Sequence, residues 1–244
     1  MLSIKQAVKT GMRQFGFEIQ RLPRSLAPGQ VSVGLDPYHD LRRFAGANAR
    51  PVIFDVGANV GQSVEQIRTY FDHPVIHAFE PSPDTFKTLR AATEGIPDLT
   101  LNNVALGRHA GIADFAENSE SVLSSFLEFG PDSWGTVTGK IPVAVATLDE
   151  YCAERGVERI DALKLDTQGF EMEVLRGGDN LLRQGRIGAV FMEITFSRMY
   201  MGLPRLDEIY RFMTERELYL VAFYDFRYQN NRVGWCDALF VRRN

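Results

Sequence analysis

The sequence predicts an α/β fold in which a mainly parallel, seven-stranded sheet is covered on both faces by helices and carries an antiparallel strand at its C-terminal end. Short β-branched and aromatic runs alternate with helical patterns from residue 52 to residue 194, as in a parallel sheet with crossover helices. The last two strands, Leu218–Tyr224 and Asp237–Arg242, are separated by the polar stretch Arg227–Gly234 instead of a helix. We therefore expect these two strands to pair antiparallel, since a parallel pair needs a crossover.

The same patterns set the expected elements and domain bounds. The predicted parallel strands are Val52–Val56, Val75–Glu80, Leu99–Ala105, Ile160–Asp166 and Ala189–Ile194. The predicted helices are Val60–Phe71, Pro83–Thr93, Glu171–Arg176 and Leu206–Glu215. Residues 106–147 fit no such unit, and we expect an insertion with a hairpin of Ile112–Ala116 and Val143–Ala146. Residues 51–244 then form the main domain, and residues 1–50 a partly helical N-terminal extension.

Composition narrows the class of protein. The chain has 244 residues, 45% of them hydrophobic, and a net charge of −4, so we expect a globular protein that does not bind nucleic acid. Its two cysteines, Cys152 and Cys236, lie far apart and form no metal-ligand pattern. We find no apolar run long enough to span a bilayer and no signal-peptide pattern. These features predict a cytoplasmic protein.

Residues 1–24 qualify that expectation. Five basic residues against one acidic residue give this segment a charge of +4. Read as a helix, it carries an apolar stripe of Ile4, Val8, Met12, Phe15, Ile19 and Leu22. Two interpretations follow: the stripe packs on the core, or the segment docks on an anionic membrane, which would place the protein at the inner face of that membrane. The oligomeric state stays open.

A glycine-rich turn follows the first strand. Asp55 and Gly57 end the strand, and Ala58, Asn59 and Gly61 continue the turn toward the next helix. Ligands of such sheets bind at the carboxyl ends of the strands, and the two glycines let the backbone approach a ligand closely. The spacing differs from the dinucleotide-binding Gly-x-Gly-x-x-Gly pattern. Asp55 is placed to interact with a cationic group of the ligand.

The second strand adds an acidic residue at its end. Glu80 lies about 20 residues after the glycine turn, where a carboxylate accepts hydrogen bonds from both hydroxyls of a ribose. The alternative is that Glu80 caps the helix that begins near Pro83. Pro81 belongs to the same turn, and Asn103 and Val104 at the third strand are where an adenine edge is expected.

Taken together, these blocks resemble the FkbM family of methyltransferases. The matching stretches are Phe54–Gly61, Ala78–Ser82, Val104–Gly107, Leu163–Glu171 and Val174–Gly178. The resemblance implies a Rossmann-like, class I methyltransferase fold and S-adenosylmethionine-dependent methylation, usually of a hydroxyl oxygen on a sugar or natural-product scaffold. The chain has Gln168 where the family often has Glu, which leaves a metal-binding role less supported.

Four charged residues are candidates for the chemistry that the resemblance implies. An alcohol is a poor nucleophile, so its methylation needs a base or a metal that lowers the alcohol's pKa. Asp166, Glu171 and Glu193 at adjacent strand ends either hold one Mg²⁺ or Mn²⁺ ion or supply the base, and Lys164 lies beside them. The alternative for Asp166 and Glu171 is a capping role at the following helix.

Substrate contacts are expected from the insertion and from the segment after the fifth strand. Ser124 and Ser125 lie beside aromatic residues in a segment that we predict to cover the acceptor, and Tyr200 is a comparable candidate. The predicted function is an O-methyltransferase acting on a glycan or another hydroxylated small molecule. The alternatives are a non-catalytic S-adenosylmethionine-binding module and an NAD-dependent oxidoreductase.

Overall fold

The computed structural model describes residues 31–45 and 48–243. Its strands are β1 Val52–Val56, β2 Val75–Phe79, β3 Leu99–Asn102, β4 Ala105–Leu106, β5 Gly111–Asn118, β6 Val137–Ala146, β7 Ile160–Leu165, β8 Ile187–Thr195, β9 Leu218–Gln229 and β10 Arg232–Arg242. Its helices are α1 Pro37–Ala45, α2 Gln62–Tyr70, α3 Pro83–Ala92, α4 Leu148–Arg155, α5 Glu171–Gly177, α6 Asp179–Arg183 and α7 Leu206–Thr214, with a 3-10 turn at Ser121–Leu123.

The larger sheet has seven strands in the order β3-β2-β1-β7-β8-β10-β9. Strands β3, β2, β1, β7 and β8 pair in parallel, whereas β10 pairs antiparallel with both β8 and β9. The predicted fold class is confirmed. The chain runs outward from β1 in one direction and from β7 in the other, so a crevice opens at the carboxyl ends of these two strands.

The small sheet confirms the predicted hairpin and corrects the third strand. β5 pairs antiparallel with β6, with Ile112 opposite Ala144, and both strands are longer than predicted. The predicted strand Leu99–Ala105 divides in two, because β3 ends at Asn102 in the main sheet and β4 pairs with β6 in the small one. The chain therefore leaves the main sheet after β3 and enters the insertion at once.

The C-terminal hairpin is longer than the sequence suggested. The polar stretch Arg227–Gly234 is not a separate link, because it belongs almost entirely to β9 and β10. Only Asn230 and Asn231 join the two strands, with φ angles of 52° and 59°. Two consecutive positive φ angles are the mark of a tight hairpin turn that matches the strand twist, and Asn tolerates them well. The polar residues are therefore solvent-facing strand residues.

Helix α1 packs on the main sheet although it lies within residues 1–50. Leu41 is fully buried and Ala45 nearly so, in the core on the same sheet face as Phe191. Asp40 is also fully buried, and its Oδ2 accepts hydrogen bonds from the Tyr224 hydroxyl at 2.9 Å and from Gly34 N at 2.7 Å. These contacts fix α1 beside the crevice.

The predicted membrane contact concerns residues 1–24, which lie outside the described residues, so both interpretations of that segment stay predictions. Within residues 31–45 and 48–243, no helix is long and apolar enough to cross a bilayer. Cys152 and Cys236 are both free and buried.

The packing of α1 gives a stability prediction. Leu41→Ala should lower the free energy of unfolding by about 2–5 kcal/mol, since it removes fully buried methyl groups. Phe44 lies on the same helix and is 38% exposed, so Phe44→Ala is the matched control. It should change the free energy of unfolding by only about 0.5 kcal/mol. Urea unfolding measures both. Equal stabilities of the two variants would show that α1 is not part of the core.

Candidate active site

A cavity of about 440 Å³ opens at the crevice. The turns after β1, β2, β7 and β8, the Ser121–Phe126 segment of the insertion and the middle of β10 all contribute to its lining. It therefore crosses five neighbouring strands, from β2 at one end to β10 at the other. A cavity of this size is typical of a small-molecule site.

The glycine turn brings the loops after β1 and β7 together. Gly57 has a φ of 81°, and a Cβ at this position would lie 1.9 Å from the Asp166 carbonyl oxygen. Gly61 has a φ of 102° and begins α2 without a side-chain cap. Ala58 and Asn59 line the cavity beside Gly57. Gly57 is therefore needed for a close approach between two loops of the protein, whereas the predicted close approach to a ligand stays a prediction.

Glu80 lies at the β2 end of the cavity, with only 6% of its surface exposed. Its Oε2 accepts a hydrogen bond from Asn59 N at 3.1 Å, and its Oε1 accepts one from Ser82 N at 2.9 Å. A carboxylate offers about four acceptor positions, so each oxygen keeps one for a ligand hydroxyl. Burial raises the pKa of Glu80 to about 7, although both amides oppose this shift.

The capping alternative for Glu80 does not describe the structure. Ser82 is the N-cap of α3, and its Oγ accepts a hydrogen bond from Thr85 N. Pro81 lines the cavity beside Glu80, and Val104 lines it from the segment after β3. The Asn103 amide nitrogen instead donates to the carbonyl oxygens of Glu80 and Pro81, at 2.9 and 3.0 Å. Asn103 therefore supports the Glu80 turn and does not line the cavity.

Lys164 occupies the floor of the crevice between two carboxylates. Its Nζ lies 3.1 Å from Asp55 Oδ1 and 3.6 Å from Asp166 Oδ2, and its side chain is 9% exposed. Burial opposes the charge of Lys164, but Asp55 and Asp166 outweigh it and raise the Lys164 pKa. Asp55 is fully buried and also accepts a hydrogen bond from Ser63 Oγ at 2.5 Å. Asp55 thus orients Lys164 and is not part of the cavity lining, where we had expected it to meet a cationic ligand group.

Glu193 lines the cavity at the carboxyl end of β8. Its Oε1 has a 3.4 Å hydrogen bond from Thr195 Oγ1, and Asp237 on β10 is its partner in the strand register. Burial and the nearby charges of Asp166, Glu171 and Asp237 raise the Glu193 pKa well above the usual range of a carboxyl group. Burial likewise raises the pKa of Asp237 to about 7. Asp237 was not predicted from the sequence, although an acid beside the apolar run Ala238–Val241 is itself a signal.

Glu171 is committed to its own loop. Its Oε1 accepts hydrogen bonds from Thr167 N at 2.8 Å and Gly169 N at 3.3 Å, and the residue is 4% exposed. Glu171 thus holds the loop before α5, whereas the alternative we had given was a cap of the helix itself, and Glu171 does not line the cavity. Across residues 31–45 and 48–243, no three His, Cys, Asp or Glu side chains form a group suited to a metal ion. The predicted Mg²⁺ or Mn²⁺ site therefore finds no support in this part of the chain.

Only one of the three predicted substrate residues lines the cavity. Ser124 does so, with its Oγ accepting a hydrogen bond from Asn118 N. Ser125 is fully buried, and its Oγ donates to the Gln168 carbonyl oxygen at 2.8 Å. The Tyr200 hydroxyl is also buried, 2.9 Å from Gln168 Oε1 and 3.0 Å from the Leu123 carbonyl oxygen. Ser125 and Tyr200 thus fasten the insertion to the loop after β7.

Aromatic side chains that the sequence analysis did not single out complete the cavity. Trp134 from the insertion and Trp235 from β10 line its β10 end, with ring centroids 5.6 Å apart. Tyr38 of α1 lines it above Lys164, and burial raises the Tyr38 pKa to about 12. Neither tryptophan belongs to a local motif, because β10 and the insertion meet only in the folded chain.

Comparison with known proteins identifies the family. The sequence model described as Methyltransferase FkbM domain matches residues 55–228, which is more than half of the chain. The 2-O-methyltransferase NoeI of Sinorhizobium fredii is 27% identical, over 69% of this chain and 73% of its own. The 31-O-demethyl-FK506 methyltransferase FkbM of Streptomyces tacrolimicus is 30% identical, over 66% and 75%. The hexuronic acid methyltransferase AglP of Haloferax volcanii is 27% identical, over 59% and 55%.

Solved structures agree on the fold. The METTL16 methyltransferase domain superposes with a TM-score of 0.51 at 11% identity, covering 99% of this chain and 80% of that one. The predicted class I, Rossmann-like methyltransferase fold is thereby confirmed. The family match favours methyl transfer over the nicotinamide-dependent oxidation that we had kept as an alternative. With the glycine turn, Glu80 and the matched residues 55–228 in agreement, this chain belongs to the FkbM methyltransferase family.

Proposed function

We propose that the protein transfers the methyl group of S-adenosylmethionine to a hydroxyl oxygen of a glycan or another small molecule. One observation carries this proposal: a single cavity joins Glu80, which has free acceptor positions, to Glu193, a desolvated carboxyl group. Two of the related proteins carry O-methylation in their names. The net charge of −4 favours a small acceptor over a nucleic acid.

The β2 end of the cavity fits the cofactor. Glu80 would accept hydrogen bonds from the ribose hydroxyls, one on each carboxylate oxygen. The turn from Gly57 to Asn59 would lie against the rest of the nucleoside, since its backbone is open to the cavity. When bound, S-adenosylmethionine supplies a methyl group that its sulfonium centre has already activated.

The acceptor proton needs a base within the same cavity. Glu193 has a raised pKa and one weak side-chain hydrogen bond, so its carboxylate is suited to act as a base near neutral pH. Asp166 is paired with Lys164 and accepts a 2.8 Å hydrogen bond from Gln168 Nε2. We assign to Glu193 the removal of the hydroxyl proton, while the hydroxyl oxygen would take the methyl group from the sulfonium, whose carbon–sulfur bond would break to leave S-adenosylhomocysteine. Lys164 and Asp166 hold the floor beneath the reacting groups.

The metal alternative has fewer groups to draw on. Glu171 gives its carboxylate to the Thr167 and Gly169 amides, which leaves Asp166 and Glu193 of the three predicted ligands. The metal ion would then have two carboxylate ligands from the protein and not the three that we predicted. The function proposed here therefore uses a carboxylate base and contains no step through a metal ion.

Replacing Glu80 tests the cofactor end. Glu80→Ala should lower affinity for S-adenosylhomocysteine at least about tenfold, because it loses charge-assisted hydrogen bonds worth roughly 1.5–3 kcal/mol each. Calorimetry measures the affinity, and Glu94→Ala at an exposed position is the matched control. An affinity of Glu80→Ala equal to that of the control would remove Glu80 from the cofactor site.

Replacing Glu193 tests the base. With any acceptor that supports turnover, Glu193→Gln should lower kcat by roughly 10²–10⁴-fold and leave S-adenosylhomocysteine affinity unchanged. In the unmodified protein kcat should rise with pH through the raised Glu193 pKa, since the base acts only when ionised. The exposed Glu154→Gln is the control.

Assays of the same proteins with excess chelator separate the two mechanisms. Turnover should continue unchanged in chelator, whereas a loss that Mg²⁺ or Mn²⁺ restores would favour the metal site. A Glu193→Gln variant with nearly full activity would contradict the assignment of the base.

A further inference from the structure

We propose that the acceptor is an uncharged cyclic polyol whose apolar face rests on Trp235 and Trp134, and that acceptors bearing a carboxylate are excluded. This inference rests on the proposed function and names the substrate class of the same cavity. It follows from the position of the tryptophan pair relative to Glu193 and from the charges of the described cavity-lining residues.

Trp235 lies on the same sheet face as Glu193. In the β8–β10 register Asp237 is opposite Glu193 and Trp235 is opposite Thr195, and alternate strand residues point to the same face. Trp235 is thus two residues farther along than Glu193, about 7 Å at the usual strand rise. That distance is close to the width of a six-membered ring. An acceptor ring could therefore lie with its face on the indole of Trp235 and place a hydroxyl at its edge beside Glu193.

The strand pairing is irregular at Trp235. The pairing of β10 with β9 shifts register on both sides of Trp235, between Val233 and Trp235 and between Trp235 and Asp237. Such irregularities redirect side chains and are common beside active sites. The neighbouring Gly234 carbonyl oxygen accepts hydrogen bonds from Phe196 N and Ser197 N at 2.7 and 2.9 Å, which holds β10 against the end of β8.

Trp134 extends the same surface from the insertion. Its ring lies 5.6 Å from that of Trp235 at an interplanar angle of 34°, and 42% of Trp134 is exposed. The Asn118 amide donates to the Trp134 carbonyl oxygen at 3.2 Å, and a Cβ on Gly135 would lie 2.1 Å from Asn118 Oδ1. The two indoles therefore form one preformed wall with free surface toward the cavity.

An indole wall beside carboxylates suits a saturated polyol ring. The aromatic face carries negative charge density, so it attracts the C–H face of such a ring, and it buries a large apolar area. The hydroxyls at the ring edge then donate to Glu193 and Asp166, both of which line the cavity. A flat aromatic acceptor would use the wall but would offer fewer hydroxyls to these acids.

Charge decides against anionic acceptors. Among the described residues that line the cavity, Glu80, Asp166 and Glu193 are acidic and Lys164 is the single Lys or Arg. Lys164 is already held by Asp55 at 3.1 Å and Asp166 at 3.6 Å. An acceptor carboxylate would therefore enter beside acids, and no described lining residue offers it an unpaired cation. The expected preference differs from the substrate in the name of the hexuronic acid methyltransferase AglP.

The two tryptophans offer a direct measurement, because the chain contains no others. With the protein saturated by S-adenosylhomocysteine, neutral hexopyranosides and their matched hexuronates are titrated while tryptophan fluorescence is followed. At least one neutral glycoside should change the fluorescence saturably. Its hexuronate should bind at least tenfold more weakly, about 1.4 kcal/mol. A panel in which no neutral member changes the fluorescence, or in which the hexuronate binds equally well, overturns the inference.

Substitutions of Trp235 test whether the two indoles bind the acceptor. Trp235→Ala should raise the acceptor KM at least tenfold with S-adenosylhomocysteine affinity unchanged, and Trp235→Phe should recover part of the loss. Tyr228→Ala, 71% exposed on the same hairpin, is the matched control and should behave as the unmodified protein does. Methylation of neutral and anionic acceptors with equal KM would overturn the inference while the proposed function stands. Glycoside binding without methyl transfer to any hydroxyl would instead contradict the proposed function.

Discussion

The site depends on one buried ion pair, between Lys164 of β7 and Asp55 of β1, to which the half-exposed Asp166 after β7 adds a second, longer contact. Strands β1 and β7 are the neighbours at which the strand order reverses, so this pair lies beneath the crevice. Removing one partner of a buried pair typically costs 3–5 kcal/mol, because the other charge is left without compensation. Asp55 also binds Ser63 of α2, which joins the glycine turn to the same network.

The carboxyl groups in and around the cavity differ in what their oxygens contact. Glu171 and Asp55 give their oxygens to amides, a hydroxyl or Lys164 and hold loops in place. Glu80 and Glu193 line the cavity and keep acceptor capacity for ligands. Burial raises the pKa of both Glu80 and Glu193 because it disfavours their charged forms. Shifts of this kind are common at functional sites.

Local sequence was enough for the fold and for the glycine turn and Glu80 at the β2 end of the cavity, but Asp55 and Asn103 do not line the cavity as expected. The apolar runs of β1 and β2 are followed by Gly57 and Glu80, and the positive φ at Gly57 explains why glycine stands there. The sequence could not show that Glu171 would be used by the amides of its own turn, or that Ser125 and Tyr200 would be buried fasteners. Such roles depend on where distant loops meet, which spacing along the chain does not record.

The acceptor end was less predictable for the same reason. Trp235 reaches the cavity, and Asp237 comes to lie opposite Glu193, only through the antiparallel register of β10 on β8. Trp134 arrives from the insertion, about 100 residues earlier, to pack on Trp235. We had predicted Arg227–Gly234 to be a link between strands, so the extension of β9 and β10 through these residues was not expected.

The most direct test of this account is a crystal structure of the protein with S-adenosylhomocysteine. The account predicts a ribose with its two hydroxyls bonded to the two oxygens of Glu80, and a sulfur atom facing the part of the cavity that holds Asp166 and Glu193. A nucleoside bound at the tryptophan wall, or a Glu80 that contacts only Asn59 and Ser82, would contradict it.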